Sequence, residues 1–174
     1  MARCVHFKTI KPAPIKTAQF NRIMMDGIRE TIDWAYVRFG YTYATWSEEN
    51  KPKFTRAFRY EGNTIWGRTQ TGSKIYRYVN DGTPPHPIPK EGKVALLVFP
   101  WAGKGSYRPK TRPRVIGSTS GGPTGPLVAF PRVQHPGTEG RHFDEEIKDR
   151  TEPKFEGAIT RAMDRARRAS GHAI

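Results

Sequence analysis

Apolar residues recur every third or fourth position near the two ends of this chain and every second position between them, a change of period that predicts helical ends around an extended middle. From about Lys16 to Val37, the residues Phe20, Ile23, Met24, Gly27, Ile28, Trp34 and Ala35 fall on one helical stripe. Arg22, Asp26, Arg29 and Asp33 lie mostly off it, so a first long amphipathic helix is predicted there. Past Gly40 the texture turns to short runs rich in Thr, Tyr, Trp, Ile and Val, separated by "EGN" at 61–63, "TGS" at 71–73 and "NDGT" at 80–83. These spacings read as an antiparallel meander with strands at about 53–60, 64–70, 74–80 and 93–99, Ile75 and Val79 facing away from Tyr76 and Tyr78. "VALLVF" is apolar on both faces, which suits a central strand covered on both sides, the second cover coming from another subunit. "LVAFPRV" at 127–133 reads as a last strand, and Pro131 favours an edge position for it.

The C-terminal part contains "FDEEIKDR", read as a short acidic turn of helix. Thr151 then stands as N-cap, with Glu152 and Pro153 in the first turn of a second long helix. Its stripe is Phe155, Ala158, Ile159, Ala162, Met163 and Ala166, and the alanines allow close approach to a neighbouring layer. Residues 1–15 carry Arg3, Lys8 and Lys11 without an acid, and Pro12 and Pro14 oppose a regular helix, so they read as an N-terminal arm. Residues 101–126 form a long loop with Lys104, Arg108, Lys110, Arg112 and Arg114 and no acid. Arm and loop lack a helical or alternating apolar pattern, so both are expected to be mobile in an isolated subunit. The expected class is α+β: an antiparallel sheet packed with an N-terminal and a C-terminal helix. At 174 residues this is one domain, 16–174, with the loop inserted at 101–126.

Charge narrows the partners. Lys and Arg total 30 against 16 Asp and Glu, a formal net charge of +14, which favours polyanions or acidic protein surfaces; solvated surface charge is the plainer alternative. A single cysteine, Cys4, excludes an internal disulfide and a multi-cysteine zinc site. No signal-like segment opens the sequence and no apolar run approaches the roughly 20 residues that span a bilayer, so a protein made in the cytoplasm is expected.

Catalytic chemistry finds little to stand on. Cys4 and His6 give only two metal ligands, and no paired histidines or cysteines stand at zinc spacing. Cys4 lies in the expected arm rather than beside a base in a cleft. Asp144, Glu145 and Glu146 are consecutive and therefore diverge, and there is no G-x-S-x-G elbow, P-loop or dinucleotide fingerprint. No catalytic residue, metal or cofactor is expected. Trp101, Lys104, Tyr107, Arg108 and Lys110 interleave cations with aromatics, a pattern able to follow a phosphate backbone, with a solvated loop as the alternative. The aromatics at 34, 36, 41, 43, 46 and 66 are expected in core and interface rather than on a base-stacking platform.

Several phrases then fall in a characteristic order: the amphipathic helix, "TW" at 45–46 with "KPKF" at 51–54, "IYRYVNDGTPPHPI", "VALLVF", "VQHPGT" and an alanine-rich C-terminal helix. This order resembles the neck and tail-completion proteins of long-tailed bacteriophages, the minor-tail and head–tail joining components, over about residues 16–168. The resemblance implies a non-enzymatic virion subunit, assembled in the host cytoplasm, that forms a ring with copies of itself, commonly six-fold. Its other partners would be the head connector and the tail-terminator or tail-tube proteins, with packaged DNA in the central channel and no membrane. The long 101–126 insertion and the N-terminal arm depart from a minimal member of that family.

The two turn phrases carry His86 and His135. Gly82 and Gly137 suit turns that need positive φ or close backbone approach, the adjoining Thr83, Pro136 and Thr138 complete them, and Pro84, Pro85 and Pro87 stiffen the exits. The histidines are therefore read as structural or interfacial, and acting as shared ligands would require the turns to meet. Lys104, Arg108, Lys110, Arg112 and Arg114 are the expected contacts to channel DNA or to an acidic neighbour. A free, sequence-independent nucleic-acid-binding protein using this basic loop is the alternative from a different functional class.

Overall fold

The computed structural model describes residues 5–10, 18–62, 64–88, 96–103, 107–117 and 120–169. In chain order it has strand β1 (Val5–Ile10), helix α1 (Ala18–Thr42), strands β2 (Phe54–Glu61) and β3 (Thr64–Thr71), and helix α2 (Lys74–Asp81). Short strands follow: β4 (Gly82–Thr83), β5 (His86–Ile88), β6 (Leu97–Pro100), β7 (Tyr107–Arg108), β8 (Gly122–Pro123), β9 (Leu127–Phe130), β10 (Val133–His135) and β11 (Thr138–Glu139). Helix α3 (Phe143–Ala169) closes the chain. Helices and antiparallel sheets together make the expected α+β class. The chain gathers into two compact units, residues 1–73 with 144–174 and residues 74–143, where length alone predicts one domain.

The first unit is built on a three-stranded antiparallel sheet in the order β1–β3–β2. Strand β3 alternates strictly, Ile65, Gly67, Thr69 and Thr71 buried and Thr64, Trp66, Arg68 and Gln70 partly exposed, so its inner face meets α1. Part of the expected arm is a strand: Val5–Ile10 pairs along β3 from Val5↔Thr69 to Ile10↔Thr64. Buried Val5 and Phe7 alternate with exposed His6 and Lys8, a period-two pattern too short to stand out in a basic, proline-flanked segment. The remainder of the expected arm, 1–4 and 11–15, lies outside the described residues.

Helix α1 turns most of the predicted stripe inward, burying Phe20, Met24, Gly27, Ile28 and Ala35 together with Thr31, Ile32 and Phe39, while Ile23 and Trp34 of that stripe are half-buried. It lies so close to β3 that a Cβ on Gly67 would stand 2.7 Å from Ile28 Cγ2 and 2.6 Å from Ile32 Cγ1. The contact with α3 is similarly close, since a Cβ on Gly27 would meet Ala162 Cβ at 2.8 Å. Phe7 stacks on Phe155 with centroids 4.8 Å apart, so β1, α1 and α3 share one core. Each large side chain withdrawn there contributes on the order of 1.5–3 kcal/mol.

Helix α3 corrects the reading of an acidic turn followed by a new helix at Thr151. Proline at a helix start is favoured, which makes Thr-Glu-Pro look like a beginning. Yet Pro153 sits inside one continuous helix, Thr151 is fully buried, and its hydroxyl donates to the Ile147 carbonyl one turn earlier. The buried side chains Ile147, Thr151, Ala158, Ala162 and Ala166 keep the helical period across the proline, and their packing outweighs the backbone bond that proline cannot donate.

In the second unit the expected strand 74–80 is helix α2. Ile75 and Val79 are four apart, a spacing that fits a strand and a helix alike; here Tyr76 and Asn80 are the buried pair, while Ile75 and Tyr78 are exposed. Tertiary bonds choose the helix: the carbonyls of Val79 and Asn80 accept the N–H groups of Arg141 and His142 at 3.1 and 3.0 Å. Tyr76 packs near Phe143, and Gly82 at φ +82 ends the helix.

Candidate functional site

The short strands of the second unit pair as successive antiparallel rungs of one ribbon. Gly82 and Thr83 face Glu139 and Thr138, His86 to Ile88 face His135 to Val133, Leu97 to Pro100 face Phe130 to Leu127, and Tyr107 and Arg108 face Pro123 and Gly122. "VALLVF" is therefore not central in a sheet: its described strand, β6, pairs only with β9. Residues 93–95 of the expected strand lie outside the described residues.

At one end of this ribbon the two Gly-Thr turns meet. Gly82 and Gly137 have φ of +82 and +90, and a Cβ on Gly82 would stand 2.5 Å from the Thr138 carbonyl oxygen; one on Gly137 would collide with that of Thr83. Glycine is required at both positions, for the reasons the sequence suggests. Just beyond, His86 and His135 are register partners with rings stacked 5.0 Å apart. His135 Nδ1 accepts the Gly137 N–H at 3.0 Å, and His86 Nδ1 lies 2.9 Å from the Pro84 carbonyl, to which it can only donate. In the neutral pair these contacts place the lone pair of His135 on Nδ1, where it is occupied, and that of His86 on Nε2. No group of three or more His, Cys, Asp or Glu able to hold a metal occurs among the described residues.

The segment expected as a long loop is the distal half of the ribbon. Trp101 N–H donates to the Pro126 carbonyl at 2.8 Å, and β7 pairs with β8 beyond it. Arg108, Lys110, Arg112 and Arg114 are exposed; Lys104 lies outside the described residues. The tip between β7 and β8 returns to Arg141, a residue that no motif in the sequence singles out. Arg141 is 6% exposed; its Nε donates to Thr111 Oγ1 at 3.0 Å and its carbonyl accepts the Arg114 N–H at 2.8 Å. Nothing in "EGRHF" signals this, because the segments that meet are distant in sequence. The arrangement presents cations on an anchored segment.

Between these ends the ribbon is apolar on both faces. Cross-strand pairing sets Val98 and Leu127 on one face and Phe99 and Phe130 on the other. Leu127 is 72% exposed, Leu96 67% and Val98 61%, while Phe99, Trp101, Phe130, Arg132 and Val133 line a depression of about 250 Å³.

Of the aromatics expected in core and interface, Tyr43 stacks on the buried Phe54 ring at 5.7 Å with Trp46 edge-on to Tyr43, Tyr41 is exposed, and Trp34, Tyr36 and Trp66 are half-buried beneath cations. Arg38 lies 4.7 Å and Lys154 5.0 Å from the Trp34 ring, and Arg56 lies 4.6 Å from that of Tyr36. No helix among the described residues is long and apolar enough to cross a membrane. Compared with known proteins, the chain matches no family model, no curated protein and no solved structure.

Proposed function

We propose that this chain is a non-enzymatic structural subunit of the bacteriophage head–tail neck. Copies of it assemble into a ring, six-fold in the family it resembles, that completes the tail or joins it to the head connector around the DNA channel. The observation that carries the reading is the two-faced apolar ribbon, with Leu96, Val98, Leu127 and Phe130 exposed in a chain of net charge +14. Such a surface on a highly charged protein is a surface for burial against protein. Each of these side chains contributes up to about 1.5–3 kcal/mol when covered. The ordered phrases from "YVNDGTPPHPI" to "VQHPGT" supply the choice of assembly, and the glycine turns that they encode form the base of the ribbon.

Copy number in the native particle tests this reading. The expected result is a ring complement of subunits, and a Val98→Lys, Leu127→Lys variant that keeps its circular dichroism but no longer enters particles. A single copy per particle, or normal incorporation of the variant, overturns it.

A further inference from the structure

The outer face of the three-stranded sheet, opposite α1, is open to solvent. Register sets Lys8, Trp66 and Arg59 in one row across β1, β3 and β2, and His6, Arg68 and Ala57 in the next. Lys8 Nζ lies 5.4 Å from the centre of the indole and the Arg59 guanidinium carbon 5.8 Å, so cations from both flanking strands rest on one aromatic ring. His6, Lys8 and Arg59 are exposed and Arg68 is half-exposed; Glu61, at the end of β2, pairs with Arg59 at 3.0 Å and offsets only part of this charge.

The indole Nε1–H is buried and finds no acceptor among the described residues. An unsatisfied buried donor costs about 1–3 kcal/mol. The groups resting on the ring cannot relieve it, because ammonium and guanidinium are donors only. The Lys8–Trp66–Arg59 row is thus rich in donors and positive charge, a complement to an anion. The imidazole of His6 feels the same surroundings: burial, then Arg68 and Arg59, hold its pKa below the ordinary value.

We propose that this sheet face binds the phosphate backbone of duplex nucleic acid, through Lys8, Arg59 and Arg68, with Trp66 holding the cations in line. Strands about 4.8 Å apart put Lys8 and Arg59 roughly 10 Å apart across β3. Duplex DNA carries a charge every 1.7 Å or so of its axis, a density that lets such a row meet several phosphates together. The ring is engaged by cations rather than open for stacking, so the contact reads charge and not sequence. The proposal goes beyond ring assembly and does not depend on it, since every residue belongs to one compact unit of one chain.

Binding of a random 20-base-pair duplex, measured against salt, tests it in the full chain. The Lys8→Gln, Arg59→Gln, Arg68→Gln variant should lower the slope of log K against log salt by about 0.9 for each phosphate no longer neutralised, and weaken binding at least ~100-fold near 0.05 M salt. The variant Lys110→Gln, Arg112→Gln, Arg114→Gln removes the same charge from the ribbon tip and should leave most of the slope. If the triple sheet variant does not fold, Lys8→Gln with Arg59→Gln carries the same test with a smaller change. The proposal fails if the wild-type chain does not bind, if the two triple variants reduce the slope equally, or if poly-glutamate competes as well as duplex at equal charge.

Discussion

At Gly67 one methyl group decides whether sheet and helix can touch. Both isoleucine side chains that a Cβ would meet are fully buried in α1 and have nowhere to retreat. Gly67→Ala is expected to destabilise by about 1–3 kcal/mol through overpacking. Gly72→Ala, where a Cβ meets nothing within 4 Å, should stay within about 0.5 kcal/mol. Urea midpoints of the two variants check this contrast. His6 makes a pH prediction at the same scale. Its folded pKa is depressed below 6.5, so below that value the unfolded chain takes up a proton that the folded protein resists. Stability contributed by this residue is present above pH 6.5 or so, falls as pH drops through that value, and levels off below the folded pKa. His6→Gln should therefore gain on the wild type between about pH 7.5 and about pH 5.5 in urea titrations; an unchanged difference would contradict the assignment.

Among elements, α1 and β3 were legible because each repeats one period for long enough: the stripe of Phe20, Met24, Ile28 and Ala35, and the strict alternation of Ile65, Gly67, Thr69 and Thr71. Strand β2 was legible from the "EGN" turn that ends it. Shorter or mixed signals failed for physical reasons. Helix α2 is held by bonds from Arg141 and His142, which no local pattern contains. Strand β1 needed the open edge of β3 before Val5 and Phe7 acquired meaning. The turn glycines of the candidate site were legible, but the stacking of His86 on His135 and the Lys8–Trp66–Arg59 row exist only through cross-strand register. Helix α3 offers a direct test of why its proline misled. Replacing Pro153 with alanine restores an N–H for the carbonyl one turn back, and should stabilise the chain by about 1–3 kcal/mol after the added unfolded-state entropy is subtracted. A lower urea midpoint would mean that the proline sets a bend on which the core of α1 and α3 depends.

For the whole molecule, the excess of cations is a standing repulsion that salt screens. Ion pairs such as Arg161 to Glu30, at 3.0 Å, are exposed and contribute little each. Thermal midpoints should therefore rise between about 0.05 and 0.5 M sodium chloride, as the Debye length shrinks from more than 10 Å towards a few ångströms. A fall would show that local pairs outweigh the net charge. The clasp at Arg141 has a mechanical consequence. Bonds of an antiparallel ribbon lie across its strands, so a pull that parts β7 from β8 would peel it open one rung at a time from the tip. Thr111 and Arg114 are fastened to Arg141, however, and that fastening must yield before the tip can swing away. Tension on the basic segment is thus passed first to the stretch between β11 and α3, and the ribbon behaves as a latched loop rather than a zipper with a free end.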